Sequence, residues 1–286
     1  MNIRRITTLF IIEMAFFGGS ISAQQRSGLG DNAALRYWAA FSELQDSGIT
    51  SDQAKELNLI LAGTAPYRDD AYKDLLARNV PALQVMARGA SLRNCDWGLD
   101  YGLRDNTPVE YARKALELGR LNVLYAFHLN LVGDKEGSAR TLAAGLYFSR
   151  DVANGGTLFA TLVAKDLLVS HFRAVEELHH SHGIDSAQEP ELQKAIAQLG
   201  SSSLDWQGAV NRELDVLSEP KWQDSLREIR RDYAAALANP SKLPDLEKNI
   251  SEAPSDLQKL IANPKRVLEE KRDFSNQLQQ VRAALQ

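Results

Sequence analysis

LNVLYAFHLNLV, residues 121–132, carries no side chain charged at neutral pH apart from His128. A helix of this composition must be buried around most of its circumference, so the stretch belongs at the centre of a fold. Upstream, Thr107-Pro108-Val109-Glu110 is a start signal: threonine as N-cap, proline in the first turn, and glutamate placed to close a capping box. Downstream, Gly133-Asp134 ends the helix and caps another that carries Leu142, Leu146 and Tyr147 or Phe148 to Asn154-Gly155-Gly156. A third stretch, from about Thr157 to His182, is apolar through LFATLVAKDLLVSHF, and Lys165 and Asp166 within it argue against a membrane span. The spacing predicts three long helices over 107–182.

Apolar residues recur at helical spacing through most of the remaining chain, and nothing after residue 30 alternates as a strand does. The expected fold is all-α: stacked antiparallel helix pairs, as an α-solenoid or an irregular helical bundle, around the three central helices. Before them, Asp31 can cap a helix bearing Leu35, Trp38 and Phe41 or Leu44 and ending at Gly48. Thr50 or Ser51 caps a second that runs to Gly63; Pro66 opens a third; Pro81 sits in the first turn of a short fourth that stops near Gly89. After Gly183 the helices become amphipathic, with stripes such as Trp206, Val210, Leu214 and Leu217. Asn239-Pro240, Pro244, Pro254 and Asn263-Pro264 then break the chain before a last helix bearing Phe274, Leu278 and Val281. The expected organisation is a signal peptide over 1–23, an all-helical domain over 24–239 and a proline-punctuated helical tail over 240–286.

The chain has 286 residues with 33 basic against 37 acidic side chains, a formal charge of −4. No overall positive field exists to hold nucleic acid, which is excluded as an expected partner. Arg4 and Arg5, an apolar run and Ile21-Ser22-Ala23 read as a secretory signal cleaved after Ala23, although Glu13 is unusual inside such a run. The mature protein is expected outside the cytoplasm, periplasmic or extracellular, without a membrane span. Cys95 is the sole cysteine, so no intramolecular disulfide can form.

Two resemblances follow from particular residues. Asn32-Ala33-Ala34-Leu35-Arg36-Tyr37-Trp38, followed by Cys95-Asp96-Trp97-Gly98 and the long helix pair, resembles a type of exported all-helical bacterial protein of uncharacterised activity. That resemblance implies fold and export and carries no catalytic residue over. Helix pairs joined by tight turns, most clearly Ala115 to Arg150, resemble tetratricopeptide-like α-solenoids in architecture, without a repeat of fixed period.

Three groups of residues are candidate sites. Cys95, Asp96, Trp97 and Gly98 read as a packed corner: Trp97 and Cys95 inward, Asp96 capping a local turn. A nucleophilic Cys95 would need positive surroundings, and Asp96 and Asp100 supply the opposite. Glu176, His179 and His180 are spaced to meet a metal on one helical face, yet a histidine-rich last turn before Gly183 is also what helix C-termini favour. His128 and His171 each sit among apolar helical neighbours, and Asp166 lies between Leu162, Val163 and Val169. They are either satisfied core groups or a polar ligand pocket inside the bundle. No phosphate loop, nucleophile elbow, nucleotide fingerprint or zinc-type cysteine pair occurs, and no cofactor is expected. The leading expectation is an exported, non-catalytic binding or scaffold module with a protein partner. The alternative is a helical enzyme or small-ligand receptor built on His128, His171 and Asp166.

Overall fold

The structure, a computed structural model, describes residues 30–45, 49–106, 110–181 and 190–285. The signal-peptide reading of 1–23, the Gly48 stop, the cap at Thr107-Pro108-Val109 and the stop at His182-Gly183 lie outside them. Among the described residues there are twelve α-helices and no strand. They are α1 (Ala33–Glu43), α2 (Ser51–Leu61), α3 (Asp69–Ala90), α4 (Glu110–Leu131), α5 (Lys135–Val152), α6 (Leu158–His180), α7 (Pro190–Gln198), α8 (Trp206–Val216), α9 (Gln223–Ala238), α10 (Leu243–Glu252), α11 (Ser255–Gln258) and α12 (Pro264–Ala284). Short 3-10 turns cover Tyr101–Asn106, Pro220–Trp222 and Pro240–Lys242. None of the described helices is long and apolar enough to cross a membrane.

The three central helices form where the apolar runs place them. α4, α5 and α6 each pack on both of the others, and Leu118, Val123, Leu124, Leu142, Leu146, Leu168 and Phe172 are sealed from solvent between them. Each such side chain contributes about 1.5 to 3 kcal/mol by leaving water. Asp134 starts α5 by accepting the Gly137 N–H at 2.8 Å. On one side of this centre α1 packs on α3, and α3 on α4 and α5; on the other, α7 packs on α5, and α8 and α12 on α6.

Three local expectations differ from what forms. The cap of α1 is Asn32, not Asp31: its Oδ1 accepts Ala34 N–H at 3.1 Å while its amide also pairs with the Asp96 backbone, which a carboxylate cannot do on the donor side. The buried face of α1 is Ala33, Ala34, Tyr37, Ala40 and Phe41, leaving Leu35 and Trp38 46% and 39% exposed. Tyr37 turns inward because its hydroxyl has a buried partner, described below. The expected short fourth helix does not exist, since α3 runs unbroken through Pro81. Pro81 and Ala77 both lie on the exposed face, so water can meet the Ala77 carbonyl that the proline leaves without a donor.

The last described helix, α12, packs on α6 and α9. Phe274 of α12 stacks on Phe172 of α6 with centroids 6.3 Å apart. Beside them, Lys165 of α6, nearly enclosed, meets Asp273 at 2.6 Å and Glu270 at 2.8 Å. Arg282 reaches the Leu199 carbonyl just past α7.

Candidate functional site

The segment Cys95–Gly98 leaves α3 and crosses over the start of α1. Asn32 holds it with a two-way clamp: its Nδ2 donates to Asp96 O at 2.8 Å and its Oδ1 accepts Asp96 N–H at 2.8 Å. Ala33 N–H donates to Asn94 O at 2.7 Å beside it. Asp96 then turns the chain by accepting Gly98 N–H at 2.9 Å, and Gly98 takes φ +66°, a conformation costly for any residue with a Cβ. This geometry sends Trp97 inward. Its ring stacks at 4.3 Å on Tyr111 and, nearly coplanar, at 6.0 Å on Phe41.

Trp97 and Cys95 of this segment, and Tyr37 of α1, converge on Asp151, in the last turn of α5. Its backbone carbonyl accepts the Trp97 indole N–H at 2.8 Å and lies 3.8 Å from the Cys95 thiol. Its carboxylate accepts the Tyr37 hydroxyl at 2.8 Å and the Arg150 guanidinium at 2.8 Å. Asn154 donates to the Cys95 carbonyl and Tyr111 to the Val152 carbonyl, so the turn after α5 is bound from two sides. Burial pushes the Asp151 carboxyl up, against the opposing pull of Arg150 and Tyr37. Burial, followed by the Asp151 charge, also drives the Cys95 thiol well above its ordinary range. A thiolate nucleophile is thus strongly disfavoured here.

The two central histidines have separate partners. His171 is sealed within the core, with Nδ1 2.7 Å from Leu167 O and Nε2 3.0 Å from the Asn122 side chain. Burial lowers its pKa to about 4, so the ring is neutral and its Nδ1–H donates to the carbonyl. Nε2 is then an acceptor, and the partner that fits is the N–H of the Asn122 amide rather than its oxygen. Gly145 makes room for this pair: a Cβ there would stand 2.1 Å from His171 Nε2 and 2.2 Å from Asn122 Oδ1. His128 faces the other way, partly exposed, with Nδ1 2.6 Å from Asp69 at the start of α3. Tyr67 donates to the same Asp69 oxygen at 2.8 Å, and the hydrogen bond from His128 holds the Asp69 carboxyl below the usual range. Asp166 joins neither histidine; its side chain is 69% exposed. The structure therefore does not bring His128, His171 and Asp166 together.

No family model, curated protein or solved structure matches the chain.

Glu176, His179 and His180 do not assemble as a metal centre. His180 turns Nδ1 back to the Glu176 backbone carbonyl at 2.6 Å, which closes the helix end. The His179 and His180 rings stand edge to face with centroids 6.2 Å apart. Among the described residues no group of three or more histidine, cysteine, aspartate or glutamate side chains is arranged to hold a metal ion. In the His128–Asp69 pair, the carboxylate orients one ring nitrogen as it does in acid–base relays. The other nitrogen has no hydroxyl or thiol hydrogen-bonded to it among the described residues.

Several polar groups that shape the surface carried no sequence signal. One is the set of Arg120 and Arg173 in a cleft between α2, α4 and α6. Another is a pair of adjoining grooves in the C-terminal half. The first, about 480 Å³, lies between α9, α10 and α12, with Leu237, Leu243 and Leu268 as its apolar lining and Lys265, Glu269 and Arg272 among its charged lining. The second, also about 480 Å³, is floored by Leu204 and Trp206. They share Leu237, Ala238 and Lys271, whose ammonium donates to the Leu237 carbonyl at 2.6 Å.

Proposed function

We propose that this chain is an exported, non-catalytic binding module, and that its partner is a protein segment with apolar side chains set among acidic ones. The observation that supports this reading is the double groove beside α12. Its lining combines apolar side chains with charged ones: Lys265 and Arg272 make no ion pair among the described residues, and Glu269 and Asp205 are the acidic groups beside them. An amphipathic segment laid in such a groove removes apolar area from water and places carboxylates against the free cations. The helix-pair architecture, which resembles tetratricopeptide-like solenoids without a repeat of fixed period, suits a binding role because it presents long grooves on a rigid frame. Arg4, Arg5, the apolar run and Ala23 support export.

The polar clusters elsewhere point away from catalysis in their present form. Asp151, His171 and Lys165 each have internal partners, and Cys95 is buried and protonated. The test is a selection of displayed peptides against the full chain, repeated on Leu268→Asp and on Arg272→Glu. The expected result is enrichment of peptides with apolar residues between aspartates and glutamates, binding roughly tenfold more weakly to either variant and more weakly at high salt. No enrichment over an unrelated helical control, or equal binding to parent and variants, would overturn it.

A further inference from the structure

Arg120 of α4 and Arg173 of α6 line one cleft of about 210 Å³ together with Asn58 of α2, Lys165, Asp166 and Ser170. Leu61, Leu116 and Leu167 complete its wall. Both arginines are half-buried, yet among the described residues neither guanidinium makes a hydrogen bond or an ion pair. The contrast with Lys165 in the same cleft is sharp, because its ammonium is held by Asp273 and Glu270. Burial lowers the Arg120 pKa, against the pull of Asp166, but a guanidinium stays charged at any physiological pH. A half-enclosed cation with its donors unmet has lost hydration without gaining an acceptor.

The α6 residues of the cleft, Asp166, Ser170 and Arg173, follow one another at helical spacing on a single face, so they form a strip rather than a scatter. Arg120 comes to that strip from α4 and Asn58 from α2. The Asn58 side chain is exposed and likewise makes no hydrogen bond among the described residues. Donors from three helices therefore converge on a space of molecular size, and the forked guanidinium is the side chain best matched to a planar or tetrahedral oxyanion. Asp166 is the opposing charge in the cleft; beside it Lys165 and Arg266 answer Glu270 and Asp273.

We propose that the cleft between α2, α4 and α6 binds the phosphate or carboxylate group of a small ligand through Arg120 and Arg173, with the Asn58 amide as a neutral donor. This site is separate in residues and in ligand class from the grooves beside α12. Titration calorimetry of the full chain with sodium phosphate and with sodium succinate, at constant ionic strength and with chloride as the control, tests it and tells the two anion classes apart. Saturable one-to-one binding of at least one of them is expected. Arg120→Gln and Arg173→Gln should each weaken it roughly tenfold or more, the loss of a hydrogen-bonded charge pair. Arg120→Lys should restore only part of the loss, and Asp166→Asn should tighten binding. Circular dichroism checks that each variant is folded; if Arg120→Gln is not, the Arg173 and Asp166 variants decide. Neither anion binding more tightly than chloride, or binding unchanged in the folded arginine variants, would overturn the proposal.

Discussion

The indole Nε1 of Trp97 donates to the backbone carbonyl of Asp151 at 2.8 Å, joining the segment after α3 to the last turn of α5. The ring is 6% exposed and lies in a nest of Tyr37, Phe41 and Tyr111. Trp97→Ala is expected to cost on the order of 3 to 5 kcal/mol in a denaturant titration, since it removes a large buried ring and opens a cavity. Trp97→Phe keeps most of the apolar area and removes one hydrogen bond from a carbonyl that still accepts the Asn154 N–H at 3.1 Å, for a smaller cost of about 1 to 2 kcal/mol. Equal losses for the two variants would mean that the hydrogen bond, not the ring, carries the corner.

Gly145→Ala is expected to destabilise the fold by about 1 to 3 kcal/mol although alanine is the better helix former. The added methyl meets His171 and Asn122, both held between helices, at distances no pair of atoms can keep. A thermal melt at or above the parent temperature would show that the His171–Asn122 pair does not hold this position.

The pKa of His171 falls from 6.5 to about 4 on folding. Below pH 6.5 the unfolded chain takes up a proton that the folded chain refuses. The stability from this group is thus whole above 6.5 and lost as pH falls toward 4, in total about 3 kcal/mol. His171→Gln removes the titration. Its stability relative to the parent should therefore improve by about 2 to 3 kcal/mol between pH 7 and pH 4.5. A difference that stays constant across those pH values would contradict a buried, neutral His171.

Lys165→Met is expected to cost on the order of 1 to 3 kcal/mol, because Asp273 loses its cation and Glu270 keeps only Arg266, 3.7 Å away. Adding Glu270→Gln should recover part of that loss in a double-mutant cycle. Burial opposes the Lys165 charge, but the hydrogen bonds that its ammonium donates to Asp273 and Glu270 outweigh it and raise its pKa. Its contribution is accordingly complete below the ordinary lysine value of 10.5 and is lost only as pH rises through the higher folded value. Proteolysis within α12 should accelerate in Lys165→Met; unchanged cleavage would show that the ion pair does not anchor this helix.

The central helices and many turns were legible because their causes are local. The Thr50–Gln53 capping box and the Asp134 cap need only neighbours in sequence. His171 was legible as a buried ring from Leu167, Leu168, Ala174 and Val175, but Asn122 as its partner was not. Which residue of α4 faces it depends on how that helix is rotated against α6. Asp151 was invisible for the same reason. Beside Arg150 at a helix end it looks like a surface carboxylate, and its partners Tyr37 and Trp97 arrive from 114 and 54 residues away. Pro81 misled in the opposite direction, since a break signal has no effect where the freed carbonyl faces water. Arg120 and Arg173 match no local pattern, because a cleft is made only when three helices meet.

Of the residues that carry the sequence resemblance, Asn32 and Asp96 close on each other at the surface, and Tyr37, Cys95 and Trp97 close on Asp151 as a buried clasp beneath them. The rate at which Cys95 reacts with a thiol reagent in the native protein tests that claim most directly. Reaction should be slow under native conditions and fast only after unfolding, with Cys95→Ser leaving binding intact at a modest cost in stability. Rapid native-state labelling, or a disulfide-linked dimer that Cys95→Ser abolishes, would contradict it and make the lone thiol an exposed, working group.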